Sequence, residues 1–239
     1  MFFRGIATTT ILLLACAGMA FAADAPLQSF HADYQVLRNG KEIGHATLDL
    51  RPAANGDWDF ASQTHGTAGM ASLLGLDVVE KSTFRWDAGK PRGLHYNYAQ
   101  KAAIKSRDTT IDFDWATKTA STNDNGKAAS VALDAPAMDR HLVTLALMAD
   151  LKSGATDLDY RVVEKDKVSD QHYVPSSHET LALAGVNIDA IKIERDRGGD
   201  SKRSTTSWFA PQRGFLPVQI EQVEKNGETI TMRLTTGQH

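Results

Sequence analysis

The eight histidines of this chain are its best candidates for metal or general-base chemistry, and their spacing supports neither. His172 and His178 are separated by Pro175, and no His-x-x-x-His or His-Glu-x-x-His arrangement occurs. His178-Glu179 with Asp170 could at most form a surface cation site, so the expectation is no metal and no cofactor. Asp112 and Asp114 share a strand parity with Asp108, the kind of carboxylate pairing that serves acid–base work. The alternate positions Ile111, Phe113 and Trp115 are apolar, which makes the aspartates the solvated side. Ser176-Ser-His-Glu179 has the letters of a catalytic triad, but triads are assembled in space and not from chain neighbours. No Gly-x-Ser-x-Gly elbow and no phosphate-cradling glycine loop is present. His141 reads as a boundary residue at the start of a helix. No catalytic residue is assigned.

Binding chemistry is better represented. Gly66-Thr-Ala-Gly-Met-Ala-Ser-Leu-Leu-Gly-Leu-Asp77 is apolar and punctuated by glycine, and it lies between two strand patterns. Glycine keeps such a backbone pliable, while methionine and leucine supply adaptable apolar surface. Met70, Leu73, Leu74 and Leu76 are therefore the expected lining of a hydrophobic site, either a lid over a cavity or a plug in one end of a barrel. Leu145 and Met148 of a central helix complete the candidate set. Arg195-Asp-Arg-Gly-Gly-Asp-Ser-Lys-Arg203 reads as a charged hairpin tip.

The elements that would position these residues are mostly strands. Short alternating runs separated by turn residues predict an antiparallel sheet. Phe30 to Leu37 leads through Asn39-Gly40, a strong hairpin signal, into Ile43 to Leu50. Further strands are expected at Trp58 and Phe60, Val78 to Trp86, Tyr96 and Tyr98, and Ile111 to Trp115. Later ones run Asp157 to Val163, Val186 to Glu194, Arg203 to Phe209, Val218 to Val223 and Thr229 to Leu234. The apolar phase slips between Ile188 and Ile191, which predicts a β-bulge near Ala190. Asp139 to Leu151 breaks the pattern as a helix, with Asp139 as N-cap and Gly154 as stop. It is apolar nearly all round and must be covered on most sides. The expected fold is mainly β: a strongly curled antiparallel sheet or half-open β-barrel of about 11–12 strands with one buried central helix.

Composition sets the bounds. Net charge is −3 with 42% hydrophobic residues, an ordinary globular balance without the basic footprint of a nucleic-acid binder. Residues 1–22 read as a secretory signal peptide: Arg4, an apolar run from Ile6 to Phe21, and an Ala20-Phe-Ala22 cleavage site. Residues 23–239 then form a single β-rich domain in the periplasm or outside the cell, with no transmembrane span in the mature chain. The lone cysteine, Cys16, opens a second maturation route, because Leu13-Leu-Ala-Cys16 resembles a lipoprotein signal. In the first route the mature chain has no thiol, hence no disulfide.

Three clusters carry a resemblance. Tyr34-x-Val36-x-x-x-Gly40-x-x-Ile43-Gly44 opens the domain, Ser82-x-Phe84 with Gly89-x-Pro91 follows, and Arg203-x-Thr205-x-x-Trp208 with Pro217-Val218 closes it. In that order they resemble the bacterial envelope family catalogued as "domain of unknown function 3108", over about residues 27 to 236. Each cluster has a structural reading: Gly40 and Gly89 serve turns, Trp208 anchors the sheet, and Pro217 starts an edge-compatible strand. The architecture is similar to that of periplasmic lipoprotein-carrier half-barrels. That resemblance implies a non-enzymatic binder of a lipid or other apolar ligand, or of an envelope protein by strand addition. Two further readings stay open: an envelope hydrolase using Asp, Glu and His residues assembled by the fold, and a purely structural assembly protein.

Overall fold

The computed structural model describes residues 25–69, 75–103, 106–199 and 201–238. Its first meander consists of β1 (Phe30–Arg38), β2 (Lys41–Pro52), β3 (Trp58–Gly66), β4 (Asp77–Asp87), β5 (Lys90–Lys101), β6 (Arg107–Asp114), β7 (Thr119–Asp124) and β8 (Lys127–Ala132). A crossover carrying the helix α1 (Val143–Ser153) leads to the second. That meander is β9 (Asp159–Glu164), β10 (Lys167–Leu183), β11 (Val186–Asp196), β12 (Ser204–Ala210), β13 (Leu216–Val223) and β14 (Thr229–Gln238). Pairing of β1 with β14 joins the two into one 14-stranded sheet with β8 and β9 at its edges. The chain therefore leaves the sheet at one edge and re-enters at the other. A crossover this short reaches because the sheet curls into a nearly closed barrel, and Met138 forms a parallel bridge to Val162 at the seam.

Turn chemistry sets the register. Asn39 (φ 49°) and Gly40 (φ 76°) both take left-handed conformations, as the first hairpin requires. At Gly44 a Cβ would sit 2.0 Å from the carbonyl oxygen of His65, so β2 and β3 can approach only with glycine there. Neighbouring strands are antiparallel, so successive turns alternate between the two ends of the barrel. Residues 88–89 and 115–118 lie at one end with the crossover; residues 39–40, 67–69 and 75–76 lie at the other.

The helix is covered as its composition demands. Val143, Leu145, Ala146, Leu147, Met148, Ala149 and Leu151 are all buried, packed against Phe30, Leu50, Phe60, Phe84, Phe209 and Val218 of the surrounding sheet. Gly154 (φ 78°) ends it in the left-handed conformation. Its start differs from expectation. Asp139 lies ahead of the helix, in a turn where its Oδ1 accepts from the amides of His141 (3.0 Å) and Leu142 (3.1 Å). A second cluster of Tyr96, Ile111, Phe113, Ala120, Val131 and Leu133 takes in Val163 from across the seam.

Three sequence expectations change. Among the described residues the strands number fourteen: β7, β8 and β10 fall outside the expected runs, and β10 passes through a stretch whose side chains are mostly exposed and show little apolar alternation. The irregularity expected near Ala190 lies in the partner strand: Pro175 faces Ile193 while Ser177 faces Lys192, making Ser176 the extra residue. Pro217 sits in β13, an interior strand, where the opposite strand shifts register between Trp208 and Phe209. Its carbonyl accepts from the Tyr34 hydroxyl at 2.8 Å.

Candidate functional site

Two arrangements bring chemistry-bearing side chains together. The first is internal. Ser82 of β4 donates from Oγ to Asp139 Oδ1 at 2.8 Å and lies 3.2 Å from His141 Nδ1. His141 stacks on Phe60 with ring centroids 4.1 Å apart. Beside them Glu80 accepts from the Tyr96 hydroxyl (2.6 Å) and Arg140 Nε (2.8 Å), and the Arg140 guanidinium lies 4.6 Å over the Tyr98 ring. Burial pushes the Asp139 carboxyl up to about 7 against the hydrogen bond from Ser82, and pushes His141 down to about 4. Burial also acts to raise Glu80, but the facing positive charge and the bonds from Tyr96 and Arg140 outweigh it and hold that carboxyl below its usual range.

The letters Ser, His and Asp are present, but the relay is not. An acyl-transfer triad places the acid on one imidazole nitrogen and the serine on the other. Here Ser82 holds both Asp139 and Nδ1 of His141, while Nε2 and Asp139 Oδ2 have no partner. Ser82 and Asp139 have no solvent exposure, so no substrate carbonyl can reach the hydroxyl. The cluster is a polar clamp fastening the entry of α1 to the wall at β4. His141, expected at a helix boundary, is one of its buried members. Ser82 and Glu80 share the inward parity of Phe84, and a polar residue on that face was the available signal for a buried partner.

The second arrangement is open. A groove of about 760 Å³ lies along the seam, lined by the turn from Asp87 to Arg92, by Trp115 and Lys118, by the crossover from Leu133 to Met138, and by Asp159 to Arg161. Trp115 stacks parallel on Phe113 with centroids 5.8 Å apart and donates from Nε1 to the Gly93 carbonyl at 2.8 Å. Gly93 has to be glycine, because a Cβ there would sit 2.9 Å from the Phe113 ring. The Arg92 guanidinium lies 4.5 Å above Trp115. Pro91, Leu133, Ala137 and Met138 supply buried apolar surface. Beneath, Asp150 of α1 accepts from the Tyr160 hydroxyl (2.8 Å) and Lys90 Nζ (3.2 Å). Burial raises the Tyr160 phenol far above its usual range, so it stays a neutral donor.

Of the residues singled out from sequence, the described ones do not line this groove. Leu145 and Met148 belong to the core around α1, at 0% and 1% exposure, although Met148 also borders a smaller pocket of about 290 Å³ with Leu27, Phe30 and Lys152. Leu76 is half-buried at the foot of its hairpin, where its carbonyl accepts from the Gly66 amide at 2.8 Å. Met70, Leu73 and Leu74 lie outside the described residues. The described ends of that connection, Gly66 and Leu76, are at the barrel end opposite the groove. Among the described residues, no group of three or more His, Cys, Asp or Glu side chains is placed to hold a metal ion. No helix among them is long and apolar enough to cross a membrane.

Fold and groove together define a class: a nearly closed antiparallel barrel with a helix inside it and an amphipathic opening at its seam. Within that class the chain belongs to the family described as "Protein of unknown function (DUF3108)", whose model matches residues 29–235. Among solved structures it is similar to a beta-barrel-like protein of the domain of unknown function DUF1849 from Brucella abortus. The TM-score is 0.55 at 9% identity, over 87% of this chain and 96% of that one. At that identity the likeness is one of fold. No curated protein matches the chain.

Proposed function

We propose that this protein is a non-enzymatic binder or carrier of a hydrophobic, lipid-like ligand, working in the cell envelope after removal of residues 1–22. The observation that carries the reading is the seam groove. Its volume of about 760 Å³ is that of a small-molecule site, commonly ~300–1,000 Å³, and its walls are apolar with a few charged groups at the mouth. The Trp115–Phe113 stack and the Gly93 contact hold one wall rigid, while the floor is fixed to α1 through Asp150. Binding would proceed by burial of apolar surface, without covalent chemistry. The sealed and misordered Ser82–Asp139–His141 cluster argues against the hydrolase alternative.

The test is native mass spectrometry of protein purified from its own envelope fraction without detergent, with organic extraction of whatever it carries. A co-purifying acyl or other apolar species that Trp115→Ala protein fails to retain is the expected result. A clean apo mass, together with no uptake of the neutral apolar dye N-phenyl-1-naphthylamine, would overturn the reading.

A further inference from the structure

We propose that the ligand of the seam groove is an anionic amphiphile, an apolar chain ending in a carboxylate or phosphate that docks against Arg92 and Lys118. This rests on the groove being the binding site and adds the chemistry of the headgroup. It follows from charge pairing around the mouth. Asp134 is held by Arg161 at 2.6 Å, and that hydrogen bond keeps its carboxyl below the usual range. Asp159 is likewise held by His172 at 2.5 Å. Asp150 takes the Lys90 ammonium at 3.2 Å and the Tyr160 hydroxyl. Arg161 also lies 3.6 Å from Asp170. These acids, and the cations Lys90 and Arg161, are thus already engaged.

What is left over is positive. Lys118 makes no ion pair among the described residues, and it is exposed. Arg92 has one loose contact, 3.5 Å from Nη1 to Asp87, whose side chain is 61% exposed. Stacking on Trp115 fixes the plane of the guanidinium, and that one contact with Asp87 is all its edge carries among the described residues. A planar fork beside an apolar wall suits a carboxylate or phosphate with a chain attached, because it offers parallel N–H donors. A cationic headgroup would meet Arg92 and Lys118 as like charges. A neutral one would gain the apolar contact alone.

The experiment is displacement of bound N-phenyl-1-naphthylamine by four ligands of one chain length: dodecanoate, dodecyl phosphate, dodecanol and dodecylammonium. The two anions are expected to displace the dye at concentrations roughly tenfold below the alcohol, the scale of two partly screened charge pairs. The amine should be weakest. In Arg92→Gln/Lys118→Gln protein the anions should fall to the level of the alcohol measured on the same protein. Lys118→Gln alone, an exposed turn position, should give part of that loss and serves if the double variant folds poorly. The ratio of dodecanoate to dodecyl phosphate assigns the source of the anion. Equal displacement by all four ligands would overturn the headgroup proposal and leave the groove standing. Failure of the dye itself to bind would remove the groove, and the headgroup proposal with it.

Discussion

Replacing Asp139 with asparagine should make the protein more stable at neutral pH than it is in acid, relative to wild type. Asp139 is fully buried, and its folded pKa is raised from 3.8 to about 7. Between those values the folded state keeps a proton that the unfolded state has lost, so the group lowers stability as pH rises. The shift corresponds to about 4 kcal/mol across the window, at ~1.4 kcal/mol per pH unit. His141 acts with the opposite sign. Its folded pKa falls from 6.5 to about 4, so the unfolded state holds the extra proton and stability rises with pH in that interval, by about 3 kcal/mol in total. In wild type the two slopes nearly cancel between pH 4 and 6.5. Asparagine mimics the protonated acid: its amide oxygen can still accept from Ser82 and from the amides of His141 and Leu142. Urea denaturation of both proteins across this range gives the assay. Taking the difference between them cancels the titrating groups that do not interact with Asp139. The Asp139→Asn advantage should grow by about 4 kcal/mol from pH 4 to pH 7 and be flat beyond. His141→Gln should give the mirror result, losing about 3 kcal/mol relative to wild type between pH 4 and 6.5. A difference that does not change with pH would mean Asp139 ionises normally in the folded protein, and the argument from burial would be wrong.

Two further outcomes follow from local geometry. Ala184 occupies a left-handed conformation (φ 47°) in the turn between β10 and β11. Ala184→Asn should raise the thermal midpoint, the gain being about 1 kcal/mol because asparagine tolerates that region. Leu145→Ala should cost about 2–5 kcal/mol in denaturant melts, as for other buried leucines, and leave dye affinity unchanged, whereas Trp115→Ala should weaken the dye at a smaller cost in stability.

The sheet was legible because its signals are local. Asn39-Gly40 fixes a hairpin by backbone conformation alone, and Phe113 with Ile111 marks a face by parity. The helix was legible because a run such as Leu142 to Leu151 has no stable exposed form. β10 was not, since a strand with exposed polar side chains, such as Ser176 to Thr180, which pairs only with β11, shows little of the alternation that betrays a strand. The clamp and the groove were illegible for a different reason. Ser82 and Asp139 are fifty-seven positions apart, and the groove is built from two turns, the crossover and the start of β9, none of which is unusual by itself.

The groove lies at the seam because of how the seam is fastened. The crossover is clasped to the sheet at two points: the Leu133 amide donates to the Lys118 carbonyl at 2.8 Å, and Met138 both donates to Arg161 (3.0 Å) and accepts from Val163 (2.9 Å). Between the clasps run Asp134, Ala135, Pro136 and Ala137. Pro136 has no amide hydrogen, so one donor fewer needs a partner there. The segment can therefore bridge the two sheet edges without continuing either as a strand. A segment that completed the hydrogen-bond ladder would close the wall. One whose backbone is bonded to the sheet at its ends, with the Asp134–Arg161 pair between, spans the edges and leaves Trp115, Pro91 and Leu133 facing a gap. The same design separates stability from binding. The core around α1 and the Ser82–Asp139–His141 clamp hold the barrel, while Asp134, Ala135 and Pro136 lie outside both core clusters and line the groove. Substitutions at Ala135 and Pro136 should therefore change ligand preference more than they change the unfolding midpoint, and dye displacement run beside thermal melts on Pro136→Ala separates the two. Equal loss in both would place Pro136 among the residues that hold the fold.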